Sequence, residues 1–153
     1  MSICTGKGDG GFSSLSDGKL CPKSDLCFEA LGNLDELSAC LGLAKTVGGD
    51  MRILEEFQHL LIKIMSYISC GEEKYCLSHK ESDIELAHAE IKLAEFVLPG
   101  KNELSARLDY ARTVARRAER SYVRIGERAD KGAIVFLNRL SDALFVMARE
   151  AEK

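Results

Sequence analysis

The sequence predicts an all-α protein, a five-helix antiparallel bundle, from three observations. Apolar residues recur at three- and four-residue steps through five segments of the chain. Valine, isoleucine or threonine alternating with polar residues, the mark of a strand, is nearly absent. The connections between the periodic segments are short and carry no repeat or linker composition, so successive helices run antiparallel. A length of 153 residues suits one domain over 1–153, with an N-terminal arm at 1–24 and the helical bundle at 25–150.

The first helix is expected over 25–46, where Leu31, Leu34, Leu37, Cys40, Leu41 and Ala44 form one stripe. Gly48 and Gly49 end it, and Asp50 is placed to cap the next. Over 51–69 the apolar face is broad: Ile53, Leu54, Phe57, Leu60, Leu61, Ile64, Met65 and Ile68. GEEKYCLSHK (71–80) reads as a polar connection, and 82–95 as a shorter, weaker helix. FVLPGKN (96–102) breaks the pattern, because proline and glycine together stop helices. A long helix follows over 103–128, with Leu104, Leu108, Ala111, Ala115, Ala118, Tyr122 and Ile125 inward. The last, over 131–150, carries Ile134, Val135, Leu137, Leu140, Leu144 and Met147.

Composition narrows the function. A net charge of −3 argues against nonspecific nucleic-acid binding, which needs a basic excess. No apolar run approaches the ~20 residues of a membrane span, and the first residues lack the blocks of a signal peptide, so a cytoplasmic protein is expected. Six cysteines, at 4, 21, 27, 40, 70 and 76, show no close pairing of the zinc kind and are expected as unbonded, small apolar residues. His59, His79 and His88 lie in separate segments without metal-ligand spacing.

Four stretches carry polar groups in patterns that chemistry can use. TGKGDGG (5–11) can turn consecutive backbone N–H groups toward one anion, with Lys7 adding charge and Thr5, Ser13 and Ser14 adding hydroxyls. It lacks P-loop spacing, and a floppy terminus is the competing reading. In ARTVARRAER (111–120), Arg112, Arg116 and Arg120 line one helix face, and such a row repels itself unless an acid or a bound polyphosphate offsets it. Glu119 is within reach of Arg116; a solvated stripe is the alternative. In NRLSD (138–142), Asn138, Ser141 and Asp142 share a face and are either an interhelical network or a sugar or base contact. In LDEL (34–37), Asp35 and Glu36 read as exposed salt-bridge carboxylates. No nucleophilic dyad is visible, so positioning and charge stabilisation are the chemistry on offer.

In this order the pieces resemble the PduO-type ATP:cob(I)alamin adenosyltransferases. The matching stretches are TGKGDGG, Lys23 with EALGNLDEL (29–37), FVLPG (96–100), ARTVARRAER and LNRLSDALFVMAR (137–149), almost the whole chain. The resemblance implies a five-helix bundle assembled as a homotrimer with active sites between adjacent subunits. It implies transfer of the adenosyl group of ATP, accompanied by Mg2+, to cobalamin in its reduced form, giving adenosylcobalamin and tripolyphosphate. It decides the opening loop in favour of phosphate. By it, Thr5, Gly6, Lys7, Gly8, Asp9, Gly10, Gly11, Phe12 and Ser13 wrap the triphosphate, making 1–24 an ATP-binding arm, and Lys23 contacts it. Arg116, Arg117, Ala118, Glu119, Arg120 and Ser121 form a second wall, and Asn138 binds the nucleotide. Arg112 and Asp35 resemble a pair that bridges the subunit interface, and Phe96 the aromatic that closes the lower face of the corrin. A reductase and a cobalamin-dependent acceptor enzyme are the implied partners.

The chain departs from the family pattern at several positions. Cys27 stands for a common arginine, Leu31 for tyrosine, Ser38 for asparagine, Lys101 for a second glycine and Asp109 for histidine; the chain ends at Lys153, before the family's usual C-terminal segment. These positions frame the alternative, a catalytically silent trimer that binds nucleotide or corrinoid.

Overall fold

A computed structural model describes residues 6–84 and 96–153. Among the described residues, four long helices and one short one surround a single core, with a small hairpin at the start: β1 (Phe12–Ser14) and β2 (Leu20–Pro22), then α1 (Leu26–Lys45), α2 (Arg52–Cys70), the short α3 (His79–Ser82), α4 (Glu103–Val123) and α5 (Lys131–Glu150). α4 is central and packs against both α1 and α5, while α2 packs on α1. Leu34, Leu37 and Leu41 of α1, Leu54, Leu61 and Ile64 of α2, Leu108 and Tyr122 of α4, and Phe136, Leu140 and Leu144 of α5 are fully buried. Phe57 and Phe136 meet edge to face at 6.1 Å, a favoured aromatic geometry. Ala111, Ala115 and Ala118 give α4 a smooth inner face that lets α1 and α5 approach closely.

Local chemistry sets each helix end. Asp25 accepts from the Cys27 N–H at the start of α1, and Asn102 and Ser105 form a reciprocal cap at the start of α4. Asp130 caps α5 through Gly132 and Ala133 and also accepts from the Leu77 N–H at 3.1 Å, tying the connection after α2 to the last helix.

Four expectations need correction. α4 stops at Val123, not 128. Gly126 takes a left-handed φ of 66°, and a 3-10 turn over Gly126–Arg128 swings the chain so that the Asp130 N–H donates to the Tyr122 hydroxyl at 2.9 Å. α2 starts on Met51, which offers no side-chain cap; the Asp50 carboxylate instead binds Arg52. The arm is not without strands. β1 and β2 pair antiparallel, Ser13 opposite Cys21, anchored by buried Leu15 and Cys21. Strands of three residues are too short to print an alternation in the sequence. The helix expected over 82–95 is described only at its start, where α3 begins earlier, at His79, and gives way to extended backbone at Asp83; residues 85–95 lie outside the described residues.

α3 is held by a capping box, Ser78 with Glu81, and by the Lys63–Glu81 ion pair at 2.7 Å. The Lys63 ammonium, helped by Ser78, brings the Glu81 carboxyl down from 4.5 to about 2. Its folded value lies below its unfolded value, so the stability it contributes is present above pH 4.5 and is lost as the pH falls toward 2. Because 34% of the side chain is solvated, the contribution is about 1 kcal/mol after screening. E81Q should therefore melt below the parent at neutral pH, with the gap closing in scans taken toward pH 2. A gap that persists at pH 2 would assign α3's stability to other contacts.

Candidate functional site

The first part of the site is the arm. Gly6 and Gly11 take left-handed φ values of 69° and 80°, and the turns they allow are closed by Asp9 N–H to Gly6 and Gly11 N–H to Gly8. The Lys23 N–H donates to the Gly11 carbonyl at 2.9 Å. Its side chain lies back across the loop, so that a Cβ at Gly8 would meet Lys23 Nζ at 2.8 Å. A side chain at position 8 would displace that ammonium from the loop. Lys7, the residue before Gly8, is exposed. Phe12 is half exposed and Ser13 half buried in the hairpin; Thr5 lies outside the described residues.

The second part is a groove of about 430 Å³ between α4 and α5, lined by Arg112, Arg116, Ser141, Asp142, Phe145 and Val146. Arg116 and Arg120 are exposed, and neither makes an ion pair among the described residues. Glu119 does not take up Arg116 but accepts from the Asn138 amide at 3.3 Å, which places Asn138 beside the arginine row. The polar triplet of α5 divides: Ser141 is buried and donates to the Asn138 carbonyl, while Asn138 and Asp142 face outward.

Other residues of the expected wall point elsewhere. Arg117 turns to α1, where it donates to the Asn33 side chain at 3.1 Å and pairs with Glu36. Ala118 is fully buried, and Ser121 is buried and satisfied by the Ala118 carbonyl. Asp35 is exposed on α1 and does not meet Arg112 within the chain. Phe96 stands free of the fold, at 104% relative exposure. Among the described residues no hydrogen bond or ion pair links the arm to the α4–α5 groove.

Two contributors had little or no signal in the sequence. Phe145 sits one helical turn after Ser141 and lies near the guanidinium of Arg112, at 5.9 Å from the ring centroid. Arg149, near a helix end, looks like a surface charge, yet it is buried against Asp109. The cysteines behave as packed thiols where described: Cys21, Cys27 and Cys40 are buried and unbonded, Cys70 and Cys76 are half buried and unbonded, and Cys4 lies outside the described residues. Burial pushes the Cys27 thiol up even though Arg128 donates to its sulfur at 3.0 Å. A neutral thiol thus stands at position 27.

Comparison with known proteins gives one family. Residues 3–151 match the family described as "Cobalamin adenosyltransferase". The chain is 35% identical over 97% of its length to "Corrinoid adenosyltransferase PduO" of Salmonella typhimurium, of which it spans 49%, about half. It is 37% identical over 96% of its length to "Cobalamin adenosyltransferase" of Cupriavidus metallidurans, covering 86% of that protein. A solved structure of a phenylalanine-to-alanine variant of a PduO-type ATP:corrinoid adenosyltransferase from Lactobacillus reuteri, complexed with cobalamin and ATP, superposes with a TM-score of 0.86. That match has 27% identity and covers 99% of this chain and 93% of the other.

Proposed function

Because the chain belongs to the cobalamin adenosyltransferase family, we propose that it moves the 5′-deoxyadenosyl group of ATP to cob(I)alamin, forming adenosylcobalamin and tripolyphosphate. The observation that carries this reading is the pair of cationic half-sites, Lys7 with Lys23 on the arm and Arg112 with Arg116 on the groove. In the transfer a Co–C5′ bond forms with the electron pair of Co(I) as the C5′–O bond breaks, and that bond pair leaves with the triphosphate. No protein nucleophile or base is required. The protein's work is to hold the two reactants in line and to stabilise charge on the leaving group.

Lys7, Lys23 and the loop N–H groups cradle the phosphates, and Arg116 meets them from the groove. Asn138, fixed by Glu119, contacts the nucleoside. Arg112 and Asp35, unpaired with one another in the single chain, join across neighbouring subunits of a homotrimer and bring arm and groove together. Magnesium travels with ATP. Among the described residues no three His, Cys, Asp or Glu side chains converge, which suits an ion that takes its ligands from phosphate and water. Phe96 covers the lower face of the corrin. The cytoplasm supplies ATP, a reductase supplies Co(I), and a cobalamin-dependent enzyme accepts the product.

The test is incubation with ATP, Mg2+ and chemically reduced cobalamin, followed by the corrin absorption spectrum. Appearance of the adenosylcobalamin spectrum supports transfer; ATP binding without it identifies the silent binder of the same fold. The arm gives an independent check. Amide exchange across residues 6–13 should slow on adding ATP and Mg2+, since a bound anion would hold together the N–H groups of this glycine-rich loop that the turns leave free. Unchanged exchange would remove the arm from the site.

A further inference from the structure

Asp109 is buried on α4, with 3% of its side chain exposed, and it divides its two oxygens between two arginines. Oδ1 accepts from Arg112 Nε at 3.3 Å; Oδ2 accepts from Arg149 Nη2 at 2.5 Å. Arg149 also binds Glu152 at 2.9 Å, and its own Nε, buried, has no partner among the described residues. The Phe145 ring lies near both guanidiniums, its centroid 5.9 Å from Arg112 and 5.1 Å from Arg149. Two cations held this close repel each other, and the carboxylate of Asp109 is what they share.

We propose that Asp109 is a positioning residue that holds Arg112 by its Nε and leaves both Nη groups aimed out of the α4–α5 groove. An arginine offers five N–H donors in a planar fork. Anchoring the inner one, with the Phe145 face alongside, orders the side chain in advance and frees the outer edge for a bidentate contact with a carboxylate or a phosphate. Arg149 and Glu152 in turn orient Asp109, so the end of α5 sets the aim of an arginine one groove away. The inference rests on the reading of Arg112 as part of the transfer site.

Its test separates position from fold. D109N leaves Arg149 buried without its main partner, so the informative variant is D109N/R149M, which removes both charges of the buried pair and keeps Arg112. With 15N-labelled protein, the Arg112 Nε–H resonance, identified by its loss in R112K, should be dispersed in the parent. In D109N/R149M it should move to the position of solvated arginines, at an otherwise unchanged spectrum. In transfer assays the double change should lower kcat about fivefold or more when Arg112 is present, and less than about twofold in the R112K background, since coupled residues are not additive. R149M alone keeps the Asp109–Arg112 contact but removes the brace on Asp109, so its kcat should fall between those of the parent and D109N/R149M, at a lower melting temperature. An unmoved Arg112 resonance, or equal losses of kcat in both backgrounds, overturns the proposal. A parent protein that makes no adenosylcobalamin defeats the transfer reading instead, and the resonance still decides whether Asp109 holds Arg112.

Discussion

Arg116→Ala is expected to lower ATP affinity and adenosyl transfer together, by roughly ten- to a hundredfold. A hydrogen bond from a charged donor contributes about 1.5–3 kcal/mol, and each 1.4 kcal/mol is a factor of ten. The structure makes this a clean measurement. Arg116 is exposed, lines the groove beside Arg112 and makes no ion pair among the described residues, so its loss breaks no ion pair among them. Removing one member of the row Arg112, Arg116 and Arg120 even relieves like-charge repulsion of a few tenths of a kcal/mol. Stability should therefore hold within about 0.5 kcal/mol while binding falls. Calorimetric titration with ATP and a thermal melt on the same preparation check both halves. A variant with parental affinity and rate would return the arginine row to a solvated stripe.

Phe96→Ala is expected to leave ATP affinity and folding nearly untouched and to slow the route that starts from Co(II). The ring is fully solvated in the single chain, and Leu98 after it is 86% exposed. A Phe buried in a core would cost about 3–5 kcal/mol on truncation, whereas this one should cost no more than about 0.5 kcal/mol. Two large apolar side chains held in water are an unfavourable arrangement unless something covers them. A corrin face is the cover proposed here. A ring that displaces the lower axial ligand leaves four-coordinate Co(II), which is easier to reduce. Electron paramagnetic resonance should show a smaller four-coordinate population in the variant. The rate from Co(II) should fall on the order of tenfold, equivalent to about 1.4 kcal/mol of barrier, and chemically prepared Co(I) should recover much of it. A normal four-coordinate signal in a destabilised variant would mean that Phe96 packs within the assembly rather than against the corrin.

The long helices were legible because their pattern is local. Leu34, Leu37 and Leu41, or Leu108, Ala111, Ala115, Ala118 and Tyr122, repeat at the helical period and are buried as that period requires. Boundaries were less legible. The swing after Val123 depends on Gly126 and on a Tyr122 hydroxyl that meets a backbone N–H eight residues on. The hairpin escaped notice because three residues per strand carry no period. The glycine loop leaves a floppy terminus and an anion cradle both open on composition alone, and the phosphate reading, like the part given to Lys23, comes from resemblance to a family.

By itself, the sequence determined the fold class, the family and the cationic character of the site, because helical period, glycine clustering and an arginine row are all properties of neighbouring residues. Only the tertiary structure decided which polar residues face the groove. It turned Arg117 away to Glu36 and Asn33, buried Ser121, set Asn138 against Glu119, and joined Asp109 to Arg112 and Arg149. Each of those outcomes depends on a partner on another helix or on burial by one. A one-dimensional pattern states which face of a helix a residue occupies, and the packing of the neighbouring helix decides what that face meets.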